Sequence, residues 1–194
     1  DLLSGEADLV VRYQGGANAG HTVCIGDKEY VLHLIPSGIF HPHITCVIGN
    51  GVVIDPNALI QEIAQLEAAG INIKGRLLIS HNAHLIMPYH KLLDVASEKS
   101  QKIGTTGRGI GPTYEDKYGR RGVRVIDLRD AATLRGLLAE RLDRANRLLA
   151  MMGAAPASLD EHVALLERLA PRLLPLATDT GLLVHRALRS GKRV

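Results

Sequence analysis

The chain has 194 residues, 46% of them hydrophobic and 22% charged, with a net charge of +3 and an isoelectric point near 9.0. It reads as one globular unit with a sizeable core. It has no run of about 18 apolar residues to span a membrane and no signal-peptide pattern, so a cytoplasmic location and no membrane partner are expected. The positive charge suits nucleic acids and small polyanions alike, but 3% aromatic residues, with no Trp and one Phe, make a stacking platform for exposed bases hard to build.

Asp8 to Tyr13 reads as a short buried strand running into Gln14-Gly15-Gly16, where the chain can turn sharply. Residues 28–35 and 45–54, rich in Val, Ile and Leu, predict further strands broken at Pro36-Ser37-Gly38 and Gly49-Asn50-Gly51. Asp55 as N-cap, Pro56 at the first helical position, an apolar face of Leu59, Ile63 and Leu66, and Gly70 as the stop predict a helix. Residues 76–80 return to a strand, and 88–100 read as a helix with Leu92, Leu93 and Ala96 facing inward. This alternation points to an α/β fold.

Beyond residue 130 the texture becomes helical. Leu134, Leu137, Leu138, Leu142, Ala145, Leu148 and Leu149 recur at helical spacing, with Glu140–Arg144 and Asp143–Arg147 as supporting pairs. Ser158 and Glu161 make a capping-box pattern, Pro171 and Pro175 punctuate, and a last helix is expected near 178–190. Cys24 and Cys46 are too few for a disulfide framework and too far apart for a CxxC metal pair, so both are expected reduced and buried.

Two segments carry chemistry. Gln14-Gly15-Gly16-Ala17-Asn18-Ala19-Gly20-His21-Thr22 can bring its backbone close to an anion, with Asn18 as donor and acceptor and His21 titrating near neutrality. A Gly-rich turn with a structural His explains the same residues. Residues 104–124 read as one long loop holding Thr105, Thr106, Arg108, Lys117, Arg120, Arg121 and Arg124, groups suited to a phosphate monoester. A solvated basic loop is the alternative. The remaining histidines, His41 and His43 included, lack zinc-protease spacing and read as surface or satisfied core residues.

Together the two segments resemble the adenylosuccinate synthetases. Gln14 to Thr22 is similar to the family's substrate and metal loop, and Gly109-Ile110-Gly111-Pro112-Thr113-Tyr114-Glu115-Asp116-Lys117 with Arg120 to its second signature. His33 to Gly38 and Ile48 to Val53 are also familiar from it. The resemblance is strong over residues 8–130 and weaker beyond.

It implies a ligase of purine (AMP) biosynthesis that phosphorylates IMP on its 6-oxygen with GTP and lets the amine of L-aspartate displace the phosphate. On the matching positions His21 would be the catalytic histidine, Asn18, Ala19, Gly20 and His21 would border IMP, and Gly20, His21 and Thr22 would border GTP. The Gly20 carbonyl would help hold Mg²⁺. Thr106 would bind the IMP 5′-phosphate, and Arg120 would reach into the partner subunit's active site, making a homodimer.

The resemblance also implies a mainly parallel sheet related to P-loop NTPases, with a helical extension in the C-terminal third. The expected organisation is a single truncated domain over 1–194, comprising an α/β part with the substrate loops (1–130) and a helical part (131–194). Asp1 and Val194 read as cut ends. The family's phosphate loop with its general-base Asp would precede this stretch, and its guanine-reading motif would follow it. The expectation is therefore a chain inactive alone, with open sheet edges. The other class of function is a non-catalytic nucleotide- or nucleic-acid-binding module using Lys117, Arg120, Arg121 and Arg124.

Overall fold

The structure is a computed structural model that describes residues 3–26, 28–101 and 104–194. Its centre is a parallel sheet in the order β1 (Leu9–Gly15), β4 (Thr45–Ile54), β5 (Leu77–Ser80), β7 (Ala177–Thr178), and the short β6 (His84–Leu85) pairs with the far end of β4. β2 (His21–Ile25) and β3 (Lys28–Leu32) form a separate antiparallel hairpin. The α/β expectation holds, and the sheet is mainly parallel as the alternation of strands and helices requires.

β4 organises the molecule because it is long and buried on both faces. Cys46 and Ile48 lie in the main core, whereas Val47 on the opposite face packs with Leu9 and Ala187. This is the period-two alternation of a strand covered on both sides. Helix α1 (Pro56–Ala68) starts where the sequence predicts: the Asp55 carboxylate accepts from the N–H groups of Asn57 at 3.1 Å and Ala58 at 3.3 Å. Leu59, Ile63 and Leu66 are buried in the main core.

α2 (Pro88–Gln101), α3 (Ile110–Tyr118), α4 (Ala131–Met151) and α5 (Leu159–Leu173) follow, and α6 (Thr180–Arg189) packs on the face of the sheet that carries Val47. Asp130, Ser158 and Asp179 cap α4, α5 and α6 by accepting backbone N–H groups. Among the described residues β1 pairs as a strand with β4 alone, and at its start the Leu9 N–H donates to the Arg193 carbonyl at 3.1 Å.

Several expectations are corrected. Residues 104–124 are not one loop: α3 occupies Ile110–Tyr118, a helix with little apolar periodicity because its inward contacts are polar and made by Thr113, Tyr114 and Asp116. Leu92 is 43% exposed rather than inward, since α2 turns His90 and Asp94 into the interior. Cys24 is exposed on the hairpin, and only Cys46 is buried. Pro171 lies inside the last turn of α5, and Glu140 pairs with Arg141 instead of Arg144. The helical stretch after residue 130 is interrupted by β7, which returns to pair with β5.

Candidate functional site

The first Gly-rich segment leaves the end of β1 beside a bulge in β4, where Gln14 pairs with Gly51 although Arg12 pairs with Ile48. One extra residue on β4 is accommodated there. A Cβ on Gly51 would lie 2.1 Å from the Tyr13 carbonyl oxygen, so this approach is open to glycine alone.

The second segment then closes over the first. The Tyr114 hydroxyl accepts from the Gly15 N–H at 2.9 Å and donates to the Gly51 carbonyl at 2.9 Å, bridging β1 and β4. Arg108 donates to the Ala17 carbonyl, and a Cβ on Gly16 would meet the Ile110 side chain at 2.5 Å. Arg12 donates to the Gly16 carbonyl at 2.8 Å and to the His33 carbonyl. Two successive carbonyls of the loop, those of Gly16 and Ala17, are thus held by guanidinium donors. Asn18, Ala19, Gly20, His21 and Thr22 remain exposed, with His21 opening β2.

Gly20 lies against the His33 ring, since a Cβ there would sit 2.8 Å from it. Its carbonyl is a hard oxygen donor, and among the described residues no group of three His, Cys, Asp or Glu side chains could hold a metal by itself. A divalent cation at this loop would therefore take Gly20 as one of several oxygen ligands, the rest coming from water or bound phosphates.

α3 is held from beneath by a buried polar network. Asp116 accepts from Tyr89 Oη at 2.8 Å, from His90 Nε2 at 3.1 Å and from Arg121 Nε at 3.1 Å. His90 Nδ1 accepts the Met87 N–H at 2.9 Å, which leaves the proton on Nε2 to face Asp116. His162 is the other tautomer: Nε2 accepts the Tyr89 N–H at 3.1 Å and Nδ1 donates to the Ser158 carbonyl at 2.7 Å. Burial lowers the pKa of both histidines. Burial works to raise Asp116, yet the hydrogen bonds from His90, Tyr89 and Arg121 prevail and bring it down to about 2. His84 falls to about 4, first through burial and then through Lys117 and Arg124, with Lys117 Nζ 3.3 Å from its Nδ1.

The remaining predicted residues separate into two places. Thr106 is exposed in the turn over α2, where the Glu98 carboxylate accepts the Gly104 and Thr105 N–H groups. Arg120 is exposed just past α3 with φ of 59°, the one described non-glycine residue at positive φ, and its side chain bonds to no described residue. Its neighbours are committed inside the fold: Lys117 to the Asn50 carbonyl at 2.6 Å, Arg121 to Asp116 and Arg124 to Asp127 at 3.1 Å. Such a cluster is poorly suited to tracking a nucleic-acid backbone, which needs free cations.

Sequence reasoning gave no role to Arg12, Glu62, Tyr89, Asp94 or His162. Glu62 had a signal, since it lies on the face of α1 that buries Leu59, Ile63 and Leu66. Asp94 accepts the Gly109 N–H at 2.8 Å and fixes that glycine at a φ of +75°.

Comparison with known proteins agrees with this geometry. The profile of the family Adenylosuccinate synthetase matches residues 1–194. The adenylosuccinate synthetase of Chlorobium phaeovibrioides is 56% identical over 198 residues, covering 100% of this chain and 46% of the relative. That of Chlorobium luteolum is 54% identical with the same coverage. The solved structure of a fully ligated adenylosuccinate synthetase from Plasmodium falciparum superposes with a TM-score of 0.88 at 31% identity, covering 100% of this chain and 46% of that one. The chain thus spans about half the length of the relatives it matches.

Proposed function

This chain belongs to the adenylosuccinate synthetase family, and from that premise we propose that it forms the IMP-handling half of a GTP-dependent ligase that joins L-aspartate to IMP. The observation that carries this reading is the closure of residues 108–114 over residues 15–17, which brings the two signature segments into direct contact.

On this reading Asn18, Ala19 and Gly20 border IMP, and His21 donates a hydrogen bond or proton near the 6-oxygen and the transferring phosphoryl group. Gly20, His21 and Thr22 border GTP, and Thr106 holds the 5′-phosphate. The Gly20 carbonyl would be one oxygen ligand of a Mg²⁺, which would supply charge neutralisation. Arg120, held exposed by its left-handed turn, offers a fork to a phosphate in a partner subunit's site, so the working enzyme is a homodimer.

The organisation proposed is one unit over 1–194, with the substrate loops in 1–130 and the helical part in 131–194. Among the described residues no helix is long and apolar enough to cross a membrane, which fits a cytoplasmic enzyme. Phosphoryl transfer depends on several groups acting as a unit, and this chain spans about half the length of the relatives it matches. We therefore expect IMP binding without turnover from this chain alone.

The test is calorimetric titration of the 194-residue chain with IMP, with and without Mg²⁺ and GTP, against a short oligonucleotide. Saturable IMP binding that survives moderate salt supports the reading. Salt-sensitive oligonucleotide binding without IMP preference would replace it with a nucleic-acid module.

A further inference from the structure

We propose that Arg12 and Glu62 are positioning residues of the substrate site, acting as one clamp that holds the loop 16–20 at both of its ends. The inference rests on the functional reading above for its substrate and on geometry alone for the clamp.

Glu62 is a carboxylate only 6% exposed, on the inner face of α1. It spends its lone pairs on backbone. Oε1 accepts the N–H groups of His33 at 2.8 Å and Leu34 at 3.0 Å, and Oε2 accepts those of Leu34 at 3.1 Å and Ile35 at 3.0 Å. Three successive N–H groups on one carboxylate form a nest, which fixes the backbone of the chain leaving β3. Arg12 takes the other side of the same residue, donating through one terminal nitrogen to the His33 carbonyl and through the second to the Gly16 carbonyl at 2.8 Å. Both backbone polar groups of His33 are thus held by charged side chains, and the guanidinium ties that residue to the start of the loop.

The far end of the loop is held through the same residue. His21 pairs with Leu32 across the hairpin, which sets Gly20 opposite His33, and the Gly20 backbone lies so close to the His33 ring that a Cβ would come within 2.8 Å of it. Fixing His33 therefore fixes Gly20, while the second arm of Arg12 fixes Gly16. Between them lie Asn18 and Ala19, exposed, with Gly20 and then His21.

The chemistry of each residue suits this task. Arg12 serves the two carbonyls from two separate terminal nitrogens of a rigid planar fork, a spacing that the single Nζ of Lys does not reproduce. Only an ionised carboxylate offers four acceptor positions and no donor, so Gln at 62 would turn an N–H₂ group toward an N–H.

The test uses R12K, E62Q and the double variant of the 194-residue chain, with three readouts: the urea midpoint, the IMP dissociation constant, and ¹⁵N relaxation of the backbone amides of residues 16–20. Each single variant is expected to raise the IMP dissociation constant about tenfold and to lower the order of the loop amides, with α1 and β4 amides unchanged. The double variant is expected to add little, because both act on one loop. If E62Q does not fold, R12K decides. A drop in urea midpoint with unchanged loop amides and unchanged IMP affinity would show a structural role only and overturn the proposal. Should the wild-type chain fail to bind IMP, the functional reading fails by itself, and the loop amides still decide on the clamp.

Discussion

Replacing Tyr114 by Phe removes one oxygen and leaves the ring in place, so its effect isolates the bridge between the two signature segments. The hydroxyl accepts from the Gly15 N–H at 2.9 Å and donates to the Gly51 carbonyl at 2.9 Å, the Gly15 carbonyl being a poorer acceptor at 3.3 Å. Without it one donor and one acceptor lose their partner in a half-buried site. Each orphaned buried group costs about 1–3 kcal/mol, and partial access of water favours the lower end, so the loss is about 2–3 kcal/mol. For a chain of this size about 2–4 °C accompanies each kcal/mol, which gives a fall in Tm of about 4–12 °C. Tyr118 stacks on Tyr114 at 6.1 Å but is 77% exposed, so Tyr118→Phe is the matched control and should shift stability by less than about 0.5 kcal/mol. Both variants are measured by thermal and urea unfolding. Equal Tm values for the two would refute the reasoning, since water would then serve Gly15 and Gly51 as well as the hydroxyl does.

Gly51→Ala sets a Cβ against backbone that cannot move without separating β1 from β4; a loss of more than about 3 kcal/mol is expected in urea unfolding, the mark of overpacking at its severe end. Asp94→Ala orphans the buried Gly109 N–H and should cost about 1–3 kcal/mol, with faster hydrogen exchange at Gly109 as the local readout. Stability should also fall with acid in two stages. His84, His90 and His162 have folded pKa values below 6.5, so the unfolded chain takes up protons first and stability declines as pH drops through 6.5, for His84 down to about 4. Asp116, ordinarily near 3.8, then loses its contribution as pH falls toward about 2. A urea midpoint that is flat between pH 7 and pH 4 would contradict the neutral, buried state of these histidines.

The parts of the fold legible in the sequence are those where local chemistry decides. Asp55-Pro56 starts α1 as its capping groups require, and the leucine spacing of α4 reports its buried stripe. What stayed hidden was decided across space. α3 has no apolar stripe to reveal it, because it is held by the contacts of Tyr114 and Asp116 with residues far along the chain. β7 has two residues and forms only because β5 offers an edge. The inward turn of His90 and Asp94 on α2 displaced Leu92 to the surface, a choice that hydrophobicity alone ranks the wrong way round.

The loop itself illustrates why a site can be recognised in sequence without its conformation being readable there. Glycines at 15, 16 and 20 permit close approach and unusual turns, but they also widen the unfolded ensemble, so the loop's own residues disfavour any single shape. The shape comes from outside it. Tyr114 reaches Gly15 across 99 residues, Arg108 reaches Ala17 across 91, and Glu62 holds His33 across 29. Each of these bonds forms only when β4, α1 and α3 are already packed, so the order of the loop inherits the cooperativity of the whole core. Permissive residues within the loop, and specifying residues distributed over the scaffold, let a loop hold one arrangement.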